Sequence, residues 1–339
     1  MQARAIAAAA PGRHVAVYRG PVRTALVVAV MGTTSTGCPA PRPAPAAAGQ
    51  IASASGPVAP AERPDPRLQA ALEAALGDFR GDVGIYVRHL PTGRTAAVRA
   101  DELFPTASLI KVPILLATFA AIEGGQLDYH GKYTYRDSLR YPGDDLLGSF
   151  RDGAAITLDK LVMLMITTSD NTASLWLQQL SGTGTAINRW LAARGFVRTR
   201  VNSRTAGRQA DYQRYGWGQT SPREMAELLI MIREGRAVSA AASEEMYRVL
   251  SRIYWDGEAL SEIPPTVQTA SKQGAIDRSR SEVVMVNAPG GDYVFCVITA
   301  NQVDQRWTDD NEGFVLLRRI SRLLWQHFEP VSSWRPANG

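Results

Sequence analysis

Two stretches of β-forming sequence stand near opposite ends of this chain, with a run of helical patterns between them. Asp82 to Leu90 sets Val83, Ile85 and Val87 at every second position; Pro91-Thr92-Gly93 then supplies a turn and Thr95–Ala100 returns. That pattern predicts a hairpin. The far end offers residues 267–273, 282–287 and 292–300 as strands. In between, 108–123 is almost wholly apolar and ends at Gly124-Gly125, which predicts a buried helix. Leu158–Ile166, Thr172–Leu180 and the segment after Thr220-Ser221-Pro222 also read as helices. Two amphipathic helices bracket the whole, residues 66–79 with Leu68, Leu72, Leu76 and Phe79, and about 311–328 with Phe314, Leu317, Ile320 and Leu324. Strands at both ends with helices between them predict an α+β fold, one antiparallel sheet built from the two termini and interrupted by a helical insertion.

The first part of the chain does not follow these rules. Residues 1–61 hold no Asp or Glu, carry Arg4, Arg13, Arg19 and Arg23, and run into Thr24–Met31, a short apolar stretch. A basic segment followed by an apolar run too short to span a bilayer reads as an export signal over residues 1–38. Ser35-Thr36-Gly37-Cys38 follows and resembles a bacterial lipoprotein signal, in which the cysteine becomes the lipidated N-terminus. Ser35 stands where such signals usually have Leu, so secretion with cleavage nearby is the other reading. Residues 39–65, rich in Ala and Pro and without apolar periodicity, read as an extended tether. The folded domain is expected at 66–330, exported to the periplasm or held at a membrane through lipid on Cys38.

Charge and cysteine usage narrow the function. Residues 1–64 hold six basic side chains and one acidic, which leaves 31 of each sign in the remainder. A neutral domain gives no reason to expect a nucleic-acid partner. Cys296, the one cysteine besides Cys38, lies in the apolar run Tyr293–Ile298, where it is expected as a small buried side chain. The four histidines (His14, His89, His130, His327) show no metal-binding spacing, so neither a metal nor a cofactor is expected.

The chemistry is carried by lysine. Only four of the 37 basic residues are lysine, and two of those, Lys111 and Lys272, sit in ordered motifs. In Ser108-Leu109-Ile110-Lys111 the serine lies three residues before the lysine, which puts hydroxyl and amine on one face of a helix. A neutral amine there takes the hydroxyl proton and makes a serine nucleophile without a histidine. Arginine, which keeps its proton in proteins, cannot replace it. Alone, Ser-x-x-Lys is a weak signal; roughly a quarter of chains with this composition would carry one by chance. Ser169-Asp170-Asn171 and Lys272-Gln273-Gly274 follow at separations of 61 and 103 residues, and the ordered trio is far more specific.

With those residues in view, the chain resembles the class A serine β-lactamases and their penicillin-binding relatives. Phe104–Pro113 is similar to the family's nucleophile helix, Thr168–Ala173 to its Ser-Asp-Asn element, Lys272-Gln273-Gly274-Ala275 to its Lys-Thr-Gly-Ala strand, and Thr220–Ala226 to the segment after its Ω-loop. The resemblance covers about residues 66–328. It implies a five-stranded antiparallel sheet flanked by helices plus an all-helical subdomain, with Ser108 between them. It further implies that Ser108 is acylated, with Lys111 as proton acceptor or relay. Ser169 passes a proton to the departing nitrogen, Asn171 bonds substrate and Lys111, and Lys272 orients Ser169. The backbone N–H groups of Ser108 and Ala275 form the oxyanion hole. Gly274, having no side chain, would let the strand lie close to a bound acyl chain.

Two departures bear on function. Gln273 replaces the Thr or Ser that helps hold the substrate carboxylate, leaving its amide, with Arg278 or Arg280 just beyond, as candidate partners. The stretch Val201–Tyr212 lacks the Ω-loop glutamate that activates the deacylating water; counting back from Thr220 puts that position near Thr205, the following asparagine near Gln209, and Asp211 as the one carboxylate in reach. Loss of a general base costs about 10²–10⁴-fold in rate. The leading expectation is a class A-like β-lactamase working as a monomer. The alternatives are a D,D-peptidase acting on D-Ala-D-Ala stem peptides and a β-lactam sensor that is acylated once.

Overall fold

The computed structural model describes residues 60–143 and 145–336. The leader, Cys38 and most of the tether lie outside the described residues. The domain starts with a two-residue strand, β1 (Arg63–Pro64), then α1 (Pro66–Leu76) and the hairpin β2 (Asp82–His89) and β3 (Arg94–Val98). Asp65 caps α1 by accepting the N–H of Leu68 at 3.1 Å, and Pro66 opens its first turn, where a missing N–H costs nothing.

The helical insertion follows. It contains β4 (Phe104–Pro105), a 3₁₀ turn at Ala107–Ile110, α2 (Lys111–Glu123), β5 (Lys132–Thr134), β6 (Ala155–Thr157), α3 (Leu158–Thr167), α4 (Asn171–Leu180) and α5 (Thr183–Ala192). It continues through β7 (Arg200–Val201), α6 (Gln209–Tyr215), β8 (Gly218–Thr220), α7 (Pro222–Arg233) and α8 (Ala240–Leu250). The chain then returns to the sheet as β9 (Thr269–Ile276), β10 (Ser279–Val286) and β11 (Tyr293–Ala300), and ends in α9 (Glu312–Phe328).

The main sheet has the order β1-β3-β2-β11-β10-β9. Five strands are antiparallel as expected; the sixth, β1, adds in parallel beside β3, through Arg63 opposite Arg94. The domain thus begins inside the segment read as tether, and Glu62 is tied to it by Tyr86 Oη at 2.7 Å. Alternation along the strands sends Ile85, Val87, Val284, Val286, Phe295 and Val297 to one face, where α1 and α9 cover them. Tyr86, Val283, Met285, Val294, Cys296 and Ile298 face the helical insertion. Cys296 is fully buried, and burial pushes its thiol well above the usual range, so it serves packing. Between the insertion and strand β9 lies the reactive cleft.

The β9–β10 hairpin is longer than the sequence pattern predicts. It pairs Thr269 with Val286 at one end and Ile276 with Ser279 at the other. The polar run Asp277–Ser281 reads as loop, yet Arg280 and Ser281 are fully buried strand residues.

Candidate active site

Ser108 sits in the 3₁₀ turn that opens directly into α2. Its N–H lies in the first turn, where a helical N–H has no carbonyl behind it. Ala107, just before it, has φ of +44°, and Ser169 has φ of +62°. Both are non-glycine residues in left-handed conformation, a local cost of about 1–3 kcal/mol each that surrounding structure must hold in place. At Ser169 the reason is visible. The sharp turn between α3 and α4 aims both the carbonyl and the hydroxyl of Ser169 at one amine.

That amine is Lys111 Nζ. It lies 3.0 Å from Ser108 Oγ, 3.0 Å from Ser169 Oγ, 2.5 Å from the Ser169 carbonyl oxygen and 2.8 Å from Asn171 Oδ1. Lys111 is fully buried, and burial pushes its ammonium down to about 7 against a smaller opposing pull from Asp145 and Asp170. A neutral amine has two N–H groups and one lone pair. The Ser169 carbonyl and Asn171 Oδ1 accept the two hydrogens, and the lone pair is left for a serine hydroxyl. Asp170 holds the α4 N-terminus by accepting the N–H of Ala173 at 2.7 Å, and ties in the neighbouring loop by accepting that of Leu147 at 2.9 Å.

Strand β9 forms the opposite wall. Gly274 packs directly against the nucleophile turn. A Cβ on it would lie 2.8 Å from the Thr106 carbonyl oxygen, 2.9 Å from the backbone N of Ser108 and 2.7 Å from Ser281 Oγ. Its missing side chain lets the strand close on the nucleophile turn. Gln273 and Ala275 line the same cleft, of about 600 Å³, together with Ser108, Ser169 and Asn171.

Three sequence-based expectations need correction. Lys272 is fully buried and donates to the carbonyl and Oε1 of Gln273, at 2.9 and 2.6 Å, rather than to Ser169. Burial and the neighbouring Lys111 hold its ammonium well below the usual lysine range. Arg278 lies exposed at the hairpin turn, donates to the Asn301 carbonyl at 3.2 Å and lines a different cavity. Arg280 is fully buried, packed between the rings of Trp307 and Phe314 at 4.5 and 4.6 Å and bonded to the carbonyls of Ile276, Ser279 and Arg306. Strand alternation turns Arg280 away from the face that Ser281 presents, and the turn carries Arg278 out to solvent.

The Ω-loop segment keeps its carboxylates out of the cleft. Thr205, at the glutamate position, bonds back to the Ser203 carbonyl at 2.9 Å and packs on Gly184 of α5. Asp211 pairs with Arg208 at 3.0 Å. Glu224, the next glutamate, accepts the backbone N–H groups of Val197, Arg198 and Thr199 and so anchors the start of the loop. The acids that do line the cleft are Asp145, Asp256, Glu258 and Asp309, from three loops that no linear motif connects. Tyr254, Trp255 and Trp307 add exposed aromatic faces.

A serine coupled to a buried lysine, between a helical subdomain and the edge of an antiparallel sheet, defines a serine acyl-transfer enzyme. Residues 67–328 match the model of the β-lactamase enzyme family, and the chain belongs to that family as a class A-like serine β-lactamase. It is 28% identical to a β-lactamase of Streptomyces fradiae over 82% of this chain and 92% of that one. With a β-lactamase of Streptomyces albus G it shares 32% over 62% of this chain and 66% of the relative. Among solved structures, PBP-A superposes with a TM-score of 0.72 at 27% identity, covering 80% of this chain and 100% of that one. A β-lactamase from Sphaerobacter thermophilus gives 0.69 at 26%, covering 78% and 98%.

Proposed function

We propose that Ser108 opens the amide of β-lactams, with the lone pair of Lys111 taking its proton. The observation that carries this reading is the four-way contact of Lys111 Nζ with Ser108, both oxygens of Ser169, and Asn171. In this reading the N–H groups of Ser108 and Ala275 receive the oxyanion. Preorganised donors of this kind contribute about 3–4 kcal/mol each. Ser169, already in contact with the amine, returns the proton to the departing nitrogen, and Asn171 orients the acyl amide. The ring opens with the carbonyl carbon bonded to Ser108 Oγ and the nitrogen protonated; water then releases the acyl group.

The loop around Thr205 favours a second reading of the same nucleophile, a D,D-peptidase acting on D-Ala-D-Ala stem peptides. No carboxylate from that loop reaches the cleft, so release by water is the slow step in either case. One experiment separates the two: purified protein with a chromogenic cephalosporin, followed by colour and by intact mass. Steady turnover abolished in Ser108→Ala supports the lactamase, whereas a stoichiometric, lasting adduct supports the peptidase. With neither adduct nor turnover, the assignment to Ser108 fails.

The leader supports export, with the domain held to a membrane by lipid on Cys38 and acting as a monomer. Mass analysis of the membrane fraction for a diacylglyceryl adduct, lost in Cys38→Ala, tests the anchor; size-exclusion chromatography with light scattering tests the monomer.

A further inference from the structure

The turn that holds Lys111 is itself held by a residue outside every motif. Asn171 and Thr172 open α4, and the loop between β5 and β6 grips them. Asp145 of that loop accepts the N–H of Thr172 at 2.7 Å and its hydroxyl at 2.9 Å, both on Oδ2. The Thr172 hydroxyl oxygen in turn accepts the N–H of Tyr141 at 3.0 Å. Asp170 takes the N–H of Ala173, so two of the N–H groups that a helix start leaves without a carbonyl meet carboxylates. The loop has a footing of its own. Leu147 is fully buried in the core of the insertion, and Tyr141 packs edge-on against Trp217 with ring centres 5.1 Å apart. Asp145 is therefore an anchor for α4, fixed from the other side.

What Asp145 anchors is part of the reactive centre. Asn171 directly precedes Thr172, and its Oδ1 lies 2.8 Å from Lys111 Nζ. Asp145 also lines the cleft beside Ser108, Ser169 and Asn171. Among the described residues, the charged groups that act on Lys111 are Asp145 from this loop, Asp170 from the turn before α4, and Lys272 from β9. Of the two carboxylates, Asp145 pulls harder on the ammonium, against the burial that lowers it.

We propose that Asp145 is a positioning residue for acylation: its carboxylate fixes the first turn of α4, and with it the Asn171 acceptor, against Lys111, and supplies negative charge that the buried amine faces. The first task needs an acceptor oxygen, and the second needs the charge. An amide in the same place keeps the acceptor and loses the charge. Without that charge the neutral amine is favoured, so Lys111 gives up its proton at lower pH.

The inference rests on Lys111 serving Ser108 as base, and its test reads the lysine separately from the reaction. Lys111 is one of four lysines. In protein labelled with carbon-13 at lysine Cε, its titration is followed by NMR between pH 5 and 9, with Lys111→Arg assigning the signal. In Asp145→Asn the Lys111 midpoint is expected about one pH unit below that of the parent. Stopped-flow acylation by a chromogenic cephalosporin over the same range is expected to move its midpoint in the same direction. Asp145→Ala removes the acceptor as well, and its acylation rate at high pH is expected at least about tenfold below that of Asp145→Asn, through a displaced Asn171. An unmoved Lys111 midpoint in Asp145→Asn, or equal high-pH rates in the two variants, overturns the inference. The Asn variant keeps the bonds to Thr172, so its midpoint decides the matter even where Asp145→Ala fails to fold. A moved midpoint in a protein that is never acylated overturns the Ser108 reading instead, and leaves the hold of Asp145 on Lys111 standing.

Discussion

Lys111 donates to the carbonyl oxygen of Ser169 at 2.5 Å, and that bond decides what the amine can do for the nucleophile. A backbone carbonyl can only accept, and so can Asn171 Oδ1, 2.8 Å away on the other side. With both N–H groups committed, the lone pair of the neutral amine is free only toward the hydroxyls of Ser108 and Ser169.

Acylation should therefore follow the neutral form of Lys111. Because burial brings its ammonium down to about 7, the acylation rate constant should rise with pH through a midpoint near 7 and fall tenfold per unit below it. Lys111→Arg should abolish acylation, since guanidinium keeps its proton. Stopped-flow acylation by a chromogenic cephalosporin checks both; a flat profile from pH 5 to 8, or retained acylation in the Arg variant, would take Lys111 out of the proton path.

Release of the acyl group should not depend on Asp211. It is paired with Arg208 and lies off the cleft lining. Asp211→Asn is expected to leave the deacylation rate within about twofold, against the 10²–10⁴-fold that loss of a true general base causes. Decay of the adduct by intact mass reads this out, and a large slowing would restore Asp211 as base.

Gly274→Ala should cripple acylation more than folding. Its Cβ would come within 2.9 Å of the Ser108 backbone N and 2.8 Å of the Thr106 carbonyl oxygen, so strand and nucleophile turn must move apart. Overpacking of this kind costs about 1–3 kcal/mol in stability. The same shift should lower kcat/KM by at least about tenfold by displacing an oxyanion donor. Unchanged kcat/KM would show that the cleft tolerates a wider gap.

Glu282→Gln should flatten the dependence of stability on pH. Burial, then the neighbouring Glu258, raises the Glu282 carboxyl to about 8. Between the ordinary carboxylate range and that value, the folded protein holds a proton that the unfolded chain gives up, so rising pH favours unfolding. Glutamine has no proton to lose. The wild-type Tm should thus drop further between pH 5 and pH 9 than that of the variant, with about 2–4 °C for each kcal/mol. Parallel Tm curves would mean that Glu282 does not titrate in this window.

Much of this molecule is legible in one dimension. The helix at 66–76, the first hairpin, the buried helix beginning at Lys111 and the final helix follow from apolar period and turn residues. What pattern reading missed is α5, α6 and α8, and the polar half of the β9–β10 hairpin. In that hairpin Arg280 and Ser281 look like loop residues, and only cross-strand partners make them strand. A carboxylate placed beside the apolar run Val283–Val286 was the one hint that something buried must meet it.

By itself the sequence determined that Ser108 and Lys111 meet, since a Ser-x-x-Lys at the start of an apolar helix puts hydroxyl and amine on one face through local geometry alone. It also determined that the two ends of the domain share a sheet, because period-2 patterning is local. The tertiary structure decided everything that depends on charge in the cleft. Arg278 and Arg280 stand only a few residues from Gln273, yet the hairpin turn carries Arg278 to Asn301, and strand alternation with the rings of Trp307 and Phe314 takes Arg280 out of reach, while Glu258, fourteen residues before Lys272, is carried to the cleft lining by a loop. Electrostatic roles are set by distance and burial in space, and neither is encoded in the order of residues along the chain.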